Sequence, residues 1–218
     1  MPLKIDLHVH TCYSKDAFTT LDELVIYAKK RGLDGVAITD HNTVEASFRI
    51  KEKDVDGLVV IPGIEVTTNK GHMVGLNITE AVPKDLEPSE TAEIIHEMGG
   101  IAVAVHSSTL IRKGLGLRSL QKDVRIDAVE VINSSSFPFF LSTYLSKRIA
   151  AKLGLPQIGG SDSHIPEAIG FAYTVIDADR DLEEIIRAIK GGLTTPYGRS
   201  MPWRLRLKKI MQKRGVRV

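Results

Sequence analysis

The sequence predicts an α/β fold in which parallel strands are joined by right-handed crossovers, either a closed barrel or a doubly wound sheet. Three observations predict it. Short apolar runs rich in Val and Ile alternate with longer stretches of helical period. Glycine directly follows several of the helical stretches, as in KRG, EMGG, KLG and IKGG. Histidines recur at the carboxyl ends of the strand-like runs, where parallel barrels build their sites.

In order, LKIDLHV reads as a strand, TLDELVIYAKKRG as a helix, GVAIT as a strand, TVEASFRIKEK as a helix and LVVIPGIEV as a strand. GHMVGLNI reads as an extra strand or hairpin arm. SETAEIIHEMGG is helical, IAVAVH and DAVEVIN are strands, LSTYLSKRIAAKLG is helical, PQIGG and AYTVID are strands, and DLEEIIRAIKGG closes the series as a helix. No Pro/Ser/Gly-rich linker and no internal repeat divides the chain, so residues 1–200 are expected to form one domain and residues 201–218 a tail.

The chain has 218 residues, 43% of them apolar and 26% charged, which suits a single globular domain. No stretch approaches the ~20 uninterrupted apolar residues that a bilayer span requires, and the protein reads as cytoplasmic. The lone Cys12 excludes an internal disulfide and has no partner at nucleophile spacing. Residues 185–218 hold ten Lys or Arg and no Asp or Glu, so against a whole-chain charge of +2 the first 184 residues carry −8. An acidic body is joined to a basic end.

Five of the seven histidines, His8, His10, His41, His106 and His164, lie at or just past predicted strand ends. Three carboxylates accompany them: Asp16, Glu65 and Asp162. In a barrel these ends converge on one face, so residues distant in sequence meet there. Mixed imidazole and carboxylate donors suit zinc, iron or manganese, and the lack of thiolates argues against a purely structural zinc. His8 and His10 are two residues apart, as are Asp162 and His164, so on extended chain each pair points to one side. Asp6 and Asp40 adjoin ligand candidates, where they either accept an imidazole N–H or bond the backbone. His96 lies inside a helix and reads as structural or exposed.

DLHVHT followed by YSKDA, TDH at 39–41, GIEV at 63–66 with GHMVGL at 71–76, VAVH at 103–106 and GSDSH at 160–164 resemble, in order, the motifs of the PHP (polymerase and histidinol phosphatase) family. The resemblance spans residues 3 to about 195. It implies a distorted seven-stranded (β/α)7 TIM-like barrel and a metal-dependent phosphoesterase holding two to three divalent ions, Mn, Zn or Fe. On that pattern His8, His10, Glu65 and Asp162 hold one ion, Glu65 bridges to a second held also by His72 and His106, and Asp16, His41 and His164 hold a third. Asp16 stands where some relatives carry histidine, which favours harder metals there. Relatives commonly place proline after the fourth-strand histidine, whereas Ser107 and Ser108 follow His106 here.

Phosphate recognition calls for further polar groups, and Arg112, Lys113 and Asn133 are the candidates. The substrate is expected to be a small phosphorylated compound, a nucleotide or a short oligonucleotide. In the tail, Trp203, Leu207, Ile210 and Met211 recur at helical spacing among Arg and Lys, giving a basic amphipathic helix. Such a helix either docks on the barrel or meets nucleic acid. The competing reading is a non-catalytic RNA scaffold resembling the barrel subunit of RNase P, whose family largely lacks the metal motifs present here. A metal-dependent amidohydrolase shares the HxH strand but expects a lysine bridge that this sequence does not show.

Overall fold

The computed structural model describes residues 1–53, 55, 57–106 and 124–213. Among them the strands are β1 (Leu3–Val9), β2 (Gly35–Ile38), β3 (Val59–Thr68), β4 (Gly71–Leu76), β5 (Ile101–Ala104), β6 (Ala128–Asn133), β7 (Gln157–Gly160), β8 (Ala172–Ile176) and β9 (Thr194–Gly198). The helices are α1 (Leu21–Lys30), α2 (Glu45–Arg49), α3 (Pro88–Glu97), α4 (Phe139–Leu153), α5 (Leu182–Lys190) and α6 (Trp203–Lys213). Local chemistry sets their limits. Thr20 and Glu23 form a reciprocal capping box at the start of α1, Asp181 accepts from two backbone N–H groups at the start of α5, and Gly154 ends α4 in the left-handed region at φ 66°.

All the strands join one sheet in the order β7-β6-β5-β4-β3-β2-β1-β8-β9. The expected seven-stranded barrel is therefore corrected to nine strands. β4 runs antiparallel between β3 and β5, and β8 and β9 add an antiparallel pair beside β1. The remaining neighbours, β1-β2-β3 and β5-β6-β7, pair parallel.

The sheet curls until its ends nearly meet. Thr174 on β8 bridges to Gly159 on β7, its hydroxyl donating to the Gly159 carbonyl at 2.9 Å and accepting the Gly159 N–H at 2.8 Å. Above β7, the Asp162 N–H donates to the His8 carbonyl at 2.8 Å and the His10 N–H to the Ser163 carbonyl at 2.9 Å. Gly160 permits this approach, because a Cβ there would lie 2.4 Å from the His8 Cβ.

Inside the barrel, Leu3, Ile5 and Leu7 pack with Ala37, Ile61, Val74, Val103, Ala128, Ile158 and Ile176. α5 plugs the end near the strand starts through Ile185, Ile186 and Ile189. α1 and α2 cover the outer side of β1 and β2, and α3 and α4 that of the strands from β3 to β6. One end of the barrel is thus filled with aliphatic side chains, and the carboxyl ends of the parallel strands open at the other. No helix among the described residues is long and apolar enough to cross a membrane.

Candidate metal centre

Strict alternation cannot turn both Leu7 and His8 inward, yet Leu7 joins the interior cluster and His8 faces the open end. The pairing register of β1 shifts between Asp6 and Val9, which re-aims the histidine. β6 has the same device. Its register shifts between Glu130 and Ile132, so Glu130 and Asn133 both point toward the site despite their odd spacing. His106 (φ 34°) and Asp162 (φ 51°) hold left-handed backbone, a conformation uncommon outside glycine that aims each side chain after its strand ends.

Glu65 lies at the centre. Its carboxylate is faced by His106 Nε2 at 2.9 Å, His72 Nδ1 at 3.1 Å, His10 Nε2 at 3.2 Å, His41 Nδ1 at 3.2 Å and His8 Nε2 at 3.5 Å. Asp162 stands 3.6 Å from His10 and 3.3 Å from His164. Asp16 stands 3.3 Å from His164 and 3.8 Å from His41. The structure therefore gathers all nine side chains singled out in the sequence: His8, His10, Asp16, His41, Glu65, His72, His106, Asp162 and His164. Asp16, His41, Glu65, His72, His106, Asp162 and His164 border a cavity of about 310 Å³, and His8 and His10 lie behind them against Glu65.

Hydrogen bonds assign the imidazole tautomers. His8 Nδ1 donates to Glu130 at 2.8 Å, and His164 Nδ1 donates to the Asp162 carbonyl at 3.1 Å, which leaves both Nε2 atoms directed inward. His10 Nδ1 faces the Ser14 hydroxyl at 3.4 Å, and that hydroxyl donates to Asp40 at 2.8 Å. His8 and His10 then present Nε2 atoms to each other at 3.1 Å. Buried lone pairs this close repel unless a cation or proton lies between them. Asp16 Oδ1 is buried and accepts no hydrogen bond among the described residues. Four sets, His8/His10/Asp162, His8/Glu65/His106, His41/Glu65/His72 and His10/His41/His164, have donor atoms mutually within 4.8 Å. The donor set fits divalent cations.

Charge follows the same geometry. Burial opposes ionisation of Glu65, but the surrounding imidazoles, His8 foremost, hold its carboxyl well below the usual range. Burial likewise works against the Asp16 anion, and His164 and His41 outweigh it and keep the carboxyl low. Burial pushes His41 down to about 4, with His10 adding to the shift and Glu65 opposing it. Asp6 is raised by burial to about 6 in spite of its hydrogen bonds.

Other sequence expectations meet a different outcome. Asp6 touches no imidazole among the described residues; it accepts from the backbone N–H groups of Ser161 (2.8 Å), Gly170 (2.9 Å) and His8 (3.3 Å) and ties β1 to the end of β7. Asp40 accepts from Thr11 and Ser14 and reaches His10 only through Ser14. Asn133, the phosphate candidate that the sequence suggested, is the last residue of β6. Its amide N–H₂ donates to Glu130 at 2.8 Å and Asp162 at 3.3 Å, so its donors are spent on two carboxylates. Arg112 and Lys113 lie outside the described residues. His96 pairs with Asp127 at 2.6 Å and is structural.

Two groups escaped the sequence. Glu130, 1% exposed, orients His8 and accepts the His106 backbone N–H at 3.1 Å. Its signal was a lone acid within the apolar run DAVEVIN. Lys209 and Lys213, one helical turn apart on α6, border the cavity, with Lys213 Nζ 3.5 Å from Asp16. α6 is held against the barrel by Leu205, packed with Ile165, Ala168, Phe171 and Met201, by Lys208 paired to Glu167 at 2.5 Å, and by Arg206. The Arg206 guanidinium donates to the carbonyls of Ser134, Ser135, Ser136 and Met201 at 3.0–3.1 Å.

Comparison with known proteins agrees with this arrangement. The PHP-associated family model matches residues 143–194, from within α4 to the start of β9. An uncharacterized protein of Methanocaldococcus jannaschii, MJ1587, is 39% identical over 143 residues, which is 61% of this chain and 82% of that one. The chain belongs to the PHP family. Among solved structures, a Bacteroides vulgatus two-domain protein containing a predicted PHP-like metal-dependent phosphoesterase superposes with a TM-score of 0.75 at 18% identity, covering 98% of this chain and 70% of the other. The lesion-specific endonuclease EndoQ of Pyrococcus furiosus gives a TM-score of 0.70 at 22% identity, covering 88% and 56%. At these identities the two solved structures speak for the PHP fold alone.

Proposed function

We propose that this PHP protein is a hydrolase of phosphate esters that works with two to three divalent ions, Mn, Zn or Fe, in the cavity around Glu65. The observation that carries the proposal is the Glu65 carboxylate faced by five imidazole nitrogens within 3.5 Å. His8, His10, Glu65 and Asp162 would hold one ion, Glu65, His72 and His106 a second, and Asp16, His41 and His164 a third. Paired divalent ions acidify water at neutral pH and neutralise the phosphoryl oxygens.

The protein's own groups prepare that chemistry. Glu130 fixes the orientation of the His8 ring and Ser14 positions His10, so both Nε2 atoms are held toward the cavity. Asp16 Oδ1 accepts no hydrogen bond among the described residues and offers an anionic oxygen there. Lys209 and Lys213 supply positive charge at the rim, where the anionic substrate enters. The aliphatic plug below the site keeps bulk water to the open side.

The test is to load wild-type protein and a His8→Ala/His10→Ala variant with manganese, measure bound metal, and assay a panel of phosphomonoesters and 5′-phosphorylated oligonucleotides. Wild type should retain metal and turn over at least one class, and the variant should lose both. Unchanged turnover in the variant overturns the assignment. RNA binding by wild type with neither metal uptake nor turnover would favour the scaffold reading instead.

A further inference from the structure

A second cavity of about 290 Å³ opens beside the first. It is bordered by Phe137, Trp203 and Ile210, and it shares Lys209 and Lys213 with the polar chamber. The two lysines therefore stand at a seam, with imidazoles and carboxylates on one side and aromatic rings on the other. Phe137 and Trp203 are 48% and 66% exposed, and their ring centroids lie 5.8 Å apart at 39°. Among the described residues these two large exposed rings stand side by side as an open π surface.

This groove is fixed in place. Phe137 lies in the connection between β6 and α4, whose carbonyls at Ser134, Ser135 and Ser136 all accept from Arg206 of α6. The same guanidinium lies 5.8 Å from the Phe137 ring centroid. Trp203 opens α6, and Lys209 and Lys213 follow on the same helix. One helix thus sets the spacing between the aromatic surface, the seam cations and the polar chamber.

We infer that the substrate is a nucleotide, its phosphate in the polar chamber, its base stacked on Phe137 and Trp203, and Lys209 and Lys213 against the phosphate oxygens between. The ligand must carry an anion at one end and a flat ring at the other, joined by a short polar link, and a nucleotide has those parts in that order. Every base offers a π face, so the groove accepts any of them and selects against phosphoesters without a ring. The inference rests on the phosphoesterase reading of the chamber, but the groove is testable separately.

Trp203 is the chain's one tryptophan, so its emission reports on the groove directly. The full-length protein, with and without zinc, is titrated with adenosine 5′-monophosphate and with ribose 5-phosphate. Saturable quenching by the nucleotide alone is expected. In parallel, kcat/KM for both compounds is measured in wild type, Trp203→Ala and Trp203→Phe; the exposed position makes either variant compatible with folding. The nucleotide-to-ribose-phosphate ratio should fall about tenfold in Trp203→Ala, as loss of a stacking partner requires, and recover in Trp203→Phe. Absence of quenching, or equal quenching by both compounds, overturns the inference, as does an unchanged ratio when both are hydrolysed. If neither is hydrolysed, the phosphoesterase reading is in question, and the fluorescence titration still decides the groove.

Discussion

Glu130 Oε1 lies 2.8 Å from His8 Nδ1, with both side chains 1% exposed. The carboxylate on β6 thereby determines which ring nitrogen of a β1 histidine faces the cavity, across 122 residues of sequence. Glu130→Gln keeps the shape and removes the charge that makes His8 a strong donor. Metal affinity should fall about 10- to 100-fold, while circular dichroism stays that of the wild type. Isothermal titration with zinc or manganese measures it, and an unchanged affinity would remove Glu130 from the site.

Gly160 tests the closure between β7 and β1. A methyl group there meets the His8 Cβ at 2.4 Å and the His8 backbone nitrogen at 2.8 Å, neither of which is a flexible side-chain end. Gly160→Ala should displace His8, lower stability by about 1–3 kcal/mol and reduce metal uptake. Gly154→Ala, where a Cβ meets nothing within 4 Å, carries backbone strain at φ 66° but should leave metal uptake intact.

His41 predicts a pH dependence. Its folded-state pKa of about 4 lies below the ordinary 6.5, so between these values the unfolded chain binds more protons than the folded one. The contribution of His41 to stability is therefore present above pH 6.5 and lost as pH falls through 4, by roughly 3 kcal/mol at most. Metal retention falls in the same direction, since coordination needs the neutral ring. An NMR titration of the metal-free protein should give His41 a midpoint near 4; a midpoint at or above 6.5 would refute the burial argument.

Arg206 joins α6 to the β6–α4 connection through the carbonyl oxygens of Ser134, Ser135 and Ser136, and it also donates to Met201 just before α6. Arg206→Ala leaves these acceptors without their cationic donor and should cost about 2–3 kcal/mol, read by urea unfolding. Arg206→Lys should rescue little, because one ammonium cannot reproduce the guanidinium's fan of donors. Full stability in Arg206→Ala would show that Leu205 with its apolar neighbours and the Lys208–Glu167 pair suffice to hold α6.

Much of the site was legible because its chemistry is written in residue type and position. His8, His10, His41, His106 and His164 each stand at a strand end, and parallel strands bring such ends together, so gathering them needed only the element order. β4 was legible as an extra strand from GHMVGLNI. β9 was not, since TTPYG places Pro196 in a short run that reads as a loop and forms a strand only at the sheet edge, where a missing N–H costs little. Asn133 illustrates the same division. The sequence puts it just past a strand and the structure makes it the last residue of β6, but position along the chain does not reveal that its amide donates to Glu130 and Asp162.

The sequence by itself determined the alternation of strands and helices, the family, and the set of imidazoles and carboxylates that meet around Glu65. Tertiary structure alone decided that the sheet has nine strands, that Glu130 backs His8, and that α6 lays Lys209, Lys213 and Trp203 over the open end of the barrel. The division has one physical cause. Periodicity and residue type act along the chain, whereas the direction a buried carboxylate or a docked helix face takes depends on register shifts and packing against residues far off in sequence, 122 positions for Glu130 and His8 and 70–72 for Arg206 and its serine carbonyls.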